Sequence, residues 1–156
     1  MQKITPFLWF NGTAEAAAAL YVSAFRHATI LNTKRGGNGG PWPPGSVVSV
    51  TVSLDGTEVT LFNGGPNFSF TSAISLFVNC ETQHEIDTLW DKLSAGGEIL
   101  QCGWLKDKFG VSWQIVPRQL GDWLFSHDAA RAERVLKVMM GMRKLNIAEL
   151  EAANHG

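Results

Sequence analysis

Two cysteines are the most reactive groups in this chain, and Cys102 is the better placed of them. It lies beside Gly103-Trp104 and near Lys106, and a thiol next to a cation is a candidate nucleophile. The competing reading is a small buried core residue, which free cysteine often is. Cys80, at the end of an extended segment, is the weaker thiol. The two stand 22 residues apart with no CxxC, so the spacing indicates neither a zinc knuckle nor a disulfide framework. The histidines His27, His84, His127 and His155 are scattered and read as solvated side chains. Ser126-His127-Asp128 contains the letters of a hydrolase triad, but three adjacent residues cannot aim their side chains at one another. That run reads instead as the start of a helix. Glycine-rich stretches at Gly36–Gly45 and Asn63-Gly64-Gly65-Pro66 each lead into extended sequence. Neither has the strand-to-helix context in which backbone amides cradle the phosphates of a nucleotide cofactor.

Composition narrows the partners. A net charge of -1 over 156 residues, with no Lys/Arg cluster, offers no footprint for nucleic acid. No apolar run approaches the length that spans a bilayer, and the segment after Met1 has no signal-peptide core. Free thiols fit a reducing compartment, so a cytoplasmic protein is expected. With 45% hydrophobic and 17% charged residues, the chain suits one domain or two half-domains sharing a core.

The elements that must position these groups follow from periodicity. Ile4–Phe10 reads as a strand ending at Asn11-Gly12, after which Thr13 is the expected N-cap of a helix. Ala17, Leu20, Tyr21, Ala24 and Phe25 form that helix's apolar stripe. Thr29–Thr33, Val47–Leu54 and Glu58–Phe62 read as strands, the last two joined by an Asp55-Gly56 hairpin turn. Ala73–Asn79 begins the same order again. Thr82 and Glu85 make a capping box, Ile86, Leu89, Trp90 and Leu93 form the second stripe, and Ala95-Gly96-Gly97 ends the helix. Glu98–Gln101, Trp104–Lys106 and Val111–Val116 are the remaining strands, with Asp107-Lys108-Phe109-Gly110 as the turn. A shift of 69 residues lays Thr13 on Thr82, Ala17 on Ile86, Leu20 on Leu89 and Tyr21 on Trp90. The expected organisation is one βαβββ unit over 1–64, a second over 65–118, and a helical extension over 119–156. That extension holds a helix from near Asp128 through Met140 and a short one after Asn146, packed on the parent sheet or on a partner subunit. The Gly/Pro segment Gly36–Gly45 reads as a mobile loop suited to be a lid.

A duplicated βαβββ unit with a DG or DxxG turn before each last strand resembles the glyoxalase/bleomycin-resistance/extradiol-dioxygenase superfamily, also called vicinal oxygen chelate. Within it the chain is similar to the PhnB-like branch, often labelled 3-demethylubiquinone-9 3-methyltransferase. The likeness is carried by Ile4-Thr5-Pro6-Phe7-Leu8-Trp9-Phe10, by Asn63-Gly64-Gly65-Pro66 and by Val78-Asn79-Cys80-Glu81-Thr82. Gln101-Cys102-Gly103-Trp104-Leu105-Lys106-Asp107, Trp113-Gln114-Ile115-Val116-Pro117 and Met142–Ile147 carry the rest. The resemblance implies an α+β fold in which two βαβββ units form curled mixed sheets around a cleft, followed by C-terminal helices. It also implies a homodimer.

Metal-dependent relatives draw His, Glu or Asp ligands from the first and last strands of each unit, because an ion that polarises substrate oxygens needs convergent donors. The matching positions here hold Pro6 with Thr5 and Phe7 beside it, Ser75, Thr60 and Gln114. None is a strong donor, so no metal or other cofactor is expected. Six tryptophans and nine phenylalanines stand against one tyrosine. On the strands and loops that would border the implied cleft, Trp9, Phe62, Trp104 and Trp113 are the expected ligand-binding walls, with Phe68 nearby. Thr60, Asn63 and Gln114 are the expected polar contacts. The function expected is metal-free binding of a small, partly aromatic or hydrophobic organic molecule. The alternative is an enzyme of lyase, isomerase or dioxygenase type, or the methyltransferase of the label, with a displaced metal site or a Cys102 thiol.

Overall fold

A computed structural model describes residues 2–156. Strands β1 (Phe7–Phe10), β2 (Ala28–Arg35), β3 (Val47–Leu54) and β4 (Thr57–Asn63), with helix α1 (Ala14–Ala24) after β1, belong to a first compact unit that ends at Phe70. The second unit begins at Thr71. It holds β5 (Leu76–Cys80), α2 (Gln83–Ser94), β6 (Glu98–Ile99), β7 (Trp104–Lys106), β8 (Ser112–Pro117), α3 (Leu120–Leu124), α4 (Ala129–Met140) and α5 (Ile147–His155). The sheets have the same plan, β1-β4-β3-β2 and β5-β8-β7-β6. In each, the first strand runs parallel to the last, and the other pairings are antiparallel. The fold is therefore the α+β duplication the sequence implies. No helix among the described residues is long and apolar enough to cross a membrane.

Alternation decides the two faces of the first sheet. Leu8, Phe10, Val50, Val52, Leu54, Val59 and Leu61 are buried, as are Ala14, Ala17, Ala18, Tyr21 and Ala24 of α1. Alanines on the helix let it lie close to the sheet, and each large apolar side chain removed from water contributes about 1.5–3 kcal/mol. The register Phe7↔Thr60, Trp9↔Phe62 and Thr51↔Thr60 puts the other set on the opposite face. Asp55 and Gly56 take φ of 46° and 87°, the doubly left-handed turn that matches strand twist.

Several local expectations need correction. The first strand starts at Phe7 and not Ile4, since Pro6 has no N–H to pair, although its carbonyl still accepts from Thr60 at 2.9 Å. The segment Ala73–Asn79 yields a strand only over Leu76–Cys80, and Glu98–Gln101 only over Glu98–Ile99, where a turn closed by Trp104 N–H on Gln101 O takes over. Thr13 makes no side-chain cap. Thr82 does, accepting from Glu85 N–H at 3.2 Å, while Glu85 reaches back to Glu81 N–H. The helices of the two units align at a shift of 83 − 14 = 69, but the strands that precede them align at 80 − 10 = 70. The second β–α connection is one residue shorter.

Residues beyond 118 pack within the second unit. Val116, Leu120, Trp123, Val135, Met142, Leu145 and Leu150 form one apolar cluster. The segment before α5 is tied down by Cys102 N–H to Met142 O (2.9 Å) and Gly103 N–H to Arg143 O (2.8 Å). Gln83 adds bonds to Leu145 O and from Ile147 N–H, and Lys144 pairs with Asp87 at 2.9 Å. Asp128 and Asn146 cap α4 and α5. The short α3 has too few residues for a periodic signal, which is why periodicity missed it.

Candidate functional site

A cleft of about 800 Å³ opens in the first unit at the end of β1 and the start of α1. Trp9 and Phe62, neighbours across the parallel β1–β4 pair, supply its aromatic wall, with ring centroids 5.1 Å apart at 70°. Trp42 closes it from the Gly36–Gly45 loop, meeting Phe62 edge-on at 5.8 Å. Both indoles are oriented by hydrogen bonds. Trp9 Nε1 donates to Gly65 O and Trp42 Nε1 donates to Asn63 O, each at 2.9 Å. The indole N–H groups are therefore already used within the protein. Such edge-to-face contacts contribute about 0.5–1.5 kcal/mol each beyond burial.

The Asn63-Gly64-Gly65-Pro66 run explains how the wall is held. Asn63 Oδ1 accepts from Ala14 N–H at 2.9 Å, so it caps α1 in place of Thr13, and its Nδ2 donates to Val47 O at 3.0 Å. Gly64 has no room for a side chain, because a Cβ there would run into Trp9 Cε2, Cζ2 and Cδ2. Gly65, at φ 96°, turns its carbonyl to the Trp9 indole. The Gly36–Gly45 loop has a defined seat as well. Gly36 N–H bonds Ser46 O, Gly45 N–H bonds Gly36 O, and the half-buried Trp42 anchors the stretch between.

Of the expected ligand-binding residues, the cleft brings together Trp9, Phe62 and Asn63. Phe68 stacks edge-on against Trp9 at 4.9 Å. Thr60 lies on the same sheet face, bonded to Thr51 Oγ1 at 3.1 Å, and does not line the cleft. Trp104 and Gln114 are register partners on the second unit's sheet, where Gln114 Nε2 donates to Ser75 Oγ at 2.9 Å. Trp113 is buried at 1% exposure, its Nε1 donating to Asp107 Oδ2 at 3.0 Å. Asp107 Oδ1 also accepts from Phe109 and Val111 N–H, which makes this carboxylate the organiser of the turn before β8. Sequence reasoning missed Trp42, Gly64, Glu15 and Arg35. One signal was available for Trp42, a large aromatic flanked by prolines in an otherwise small-residue loop.

The second unit treats the matching place differently. Asn63 pairs with Phe10 and Pro117 with Cys80, so Val116 is the counterpart of Phe62. Val116 is covered by Leu120, Trp123 and Leu145. Where the first unit opens a cleft, the C-terminal helices fill the second.

Cys102 sits in a left-handed turn at φ 58°. Its Sγ faces Met139 O at 3.7 Å and Met140 Sδ at 3.9 Å, neither of which is a base or a cation. Lys106 is paired with Glu98 at 3.8 Å. At the positions that the sequence resemblance pairs with metal ligands, Gln114 and Ser75 bond to each other and Thr60 bonds to Thr51. Neutral hydroxyls and an amide satisfied in this way do not fit a divalent ion that wants charged or imidazole donors. Among the described residues, no group of three His, Cys, Asp or Glu side chains converges to hold a metal.

The family model described as 3-demethylubiquinone-9 3-methyltransferase matches residues 2–116. Among solved structures, a Bacillus cereus PhnB protein carrying the same description is 43% identical, with a TM-score of 0.67 over 72% of this chain and 97% of that one. A Pseudomonas aeruginosa protein at 20% identity aligns with a TM-score of 0.61 over 72% of this chain and 95% of its own. A glyoxylase/bleomycin resistance protein/dioxygenase domain from a Frankia species aligns at 14% identity and TM-score 0.48, over 72% and 94% of the two chains. No functionally curated protein matches the chain.

Proposed function

We propose, from the premise that this chain belongs to the PhnB-like 3-demethylubiquinone-9 3-methyltransferase family, that it binds a small, partly aromatic or hydrophobic organic molecule in the first unit's cleft without a catalytic metal. The observation that carries this reading is the trio Trp9, Trp42 and Phe62, whose rings line about 800 Å³ of open space and whose indole N–H groups are already bonded to backbone carbonyls. Ligand clefts of this kind are mostly apolar with a few polar groups that set orientation.

Methyl transfer would need a place for a nucleoside-type methyl donor, normally a glycine-rich turn between a strand and a helix. In this chain Gly36–Gly45 joins β2 to β3, and the β1–α1 and β5–α2 connections carry one glycine and none. The residues do not fit that donor. The thiol alternative gains nothing from the surroundings of Cys102 Sγ. A homodimer belongs to the same reading, checked by light scattering of the eluting protein.

The test is titration with N-phenyl-1-naphthylamine, an uncharged aromatic probe, alongside elemental analysis of protein purified without chelator. The expected result is one equivalent bound per chain, since the second unit's counterpart is filled, and at least about tenfold weaker binding by Trp42→Ala. Binding that ignores Trp9→Ala and Trp42→Ala, or stoichiometric zinc, iron, manganese or nickel, would overturn it.

A further inference from the structure

The cleft carries two charges of opposite sign, Glu15 in the first turn of α1 and Arg35 at the end of β2. Opposite charges sharing a surface usually pair, and these do not. Ion pairs do form elsewhere in the chain: Lys106–Glu98, Arg118–Glu81, Arg131–Asp128 and Lys144–Asp87 lie in the second unit. Arg35 has five N–H donors and makes one protein hydrogen bond, from its Nη1 to Gly45 O at 3.0 Å. Glu15 suits the positive end of α1 by its position alone, and this leaves its carboxylate oxygens free to accept. Both side chains are exposed, whereas Trp9, Trp42 and Phe62 are half-buried. The lining thus combines half-buried aromatic walls with an exposed positive group and an exposed negative group that are not paired with each other.

We infer that the cleft is built for an aromatic zwitterion, a molecule whose aromatic body lies against Trp9, Trp42 and Phe62 while its ammonium group meets Glu15 and its carboxylate meets Arg35. This rests on the binding function proposed above and names its ligand class. A neutral ligand would leave both charges unanswered. A ligand of single charge would answer one and approach the like charge of the other.

Four compounds on one phenyl skeleton separate the contributions by isothermal titration: L-phenylalanine with both charges, phenethylamine with the ammonium alone, 3-phenylpropionate with the carboxylate alone, and 3-phenyl-1-propanol with neither. L-Phenylalanine is expected to bind tightest, with about threefold to tenfold lost for each missing charge at exposed positions. Glu15→Gln should bring L-phenylalanine to the level of 3-phenylpropionate, and Arg35→Gln to the level of phenethylamine. The preference should shrink as salt rises, which a purely structural role for either residue would not produce. Equal binding of the alcohol and L-phenylalanine, or an unchanged order in both variants, overturns the inference. So does failure of all four compounds when the naphthylamine probe binds, and in that case the binding function itself stands. Failure of every probe, the naphthylamine included, overturns both.

Discussion

Replacing Gly64 by alanine sets two effects of opposite sign against each other. Gly64 is not in the left-handed region, so alanine fits its backbone and by itself would add about 0.4–1 kcal/mol by restricting the unfolded chain. The new Cβ, however, would occupy the space of the Trp9 ring at Cε2, Cζ2 and Cδ2. Trp9 is the member that must move, because Gly64 is held in the sheet by its N–H bond to Phe10 O at 3.0 Å. Displacing the indole breaks its bond to Gly65 O, about 1 kcal/mol net. It also breaks edge-on contacts with Phe62 and Phe68, about 0.5–1.5 kcal/mol each. The losses outweigh the gain, leaving Gly64→Ala less stable by about 1–3.5 kcal/mol. Urea unfolding followed by tryptophan fluorescence and circular dichroism reads the change, and naphthylamine titration reads the wall. Gly37→Ala is the control, since nothing lies within 4 Å of its Cβ position, and it should match or slightly exceed the parent. A Gly64→Ala protein as stable as the parent, with its probe binding intact, would refute the account of how the wall is held.

Asp107→Ala leaves three N–H donors without their carboxylate, two of them buried, and should cost about 3–5 kcal/mol. Asp107→Asn keeps one acceptor oxygen and should cost about half as much by the same urea assay. The Asp87 carboxyl is held below its ordinary value, first by its hydrogen bond from Gln83 and then by Lys144. A lowered folded value means a stabilisation fully present above the unfolded value of about 4 and lost as pH falls through the folded one. Half-exposure keeps it under about 1 kcal/mol, so the protection factor of the Ile147 amide, taken relative to intrinsic exchange at each pH, should fall below about pH 4 in the parent and depend less on pH in Asp87→Asn. Cys102→Gly relieves a left-handed cysteine while loosening the unfolded chain, so stability should stay within about 1 kcal/mol. Probe binding should be unchanged, and its loss would restore the thiol to the site.

Capping shows where local sequence suffices and where it does not. Thr82 and Glu85 stand three residues apart and bond as their spacing implies. Thr13 occupies the same place in the first unit, yet its side chain caps nothing, and Asn63, 49 residues away, accepts instead from the Ala14 N–H. Asn63, expected as a ligand contact, lines the cleft with its amide already used at both ends. Alternation places Trp113 on one of two faces of β8 without saying which faces the core, and the bond to Asp107 accompanies its near-complete burial. Trp42 stood in a run of Gly and Pro with no periodicity, and its position depends on a carbonyl 21 residues away.

The sequence by itself determined most of the elements and their duplication, while the mixed curled sheets and the positions to check for metal donors came from the resemblance. The elements depend on the residue types present and on spacings shorter than about one helix or hairpin. Tertiary structure alone decided that the first unit opens a cleft while the second is filled by the C-terminal helices, that Trp42 closes that cleft, and that Glu15 and Arg35 both line it without pairing. Those outcomes depend on which distant backbone carbonyls and apolar faces come together, and periodicity along one segment carries no information about its partner.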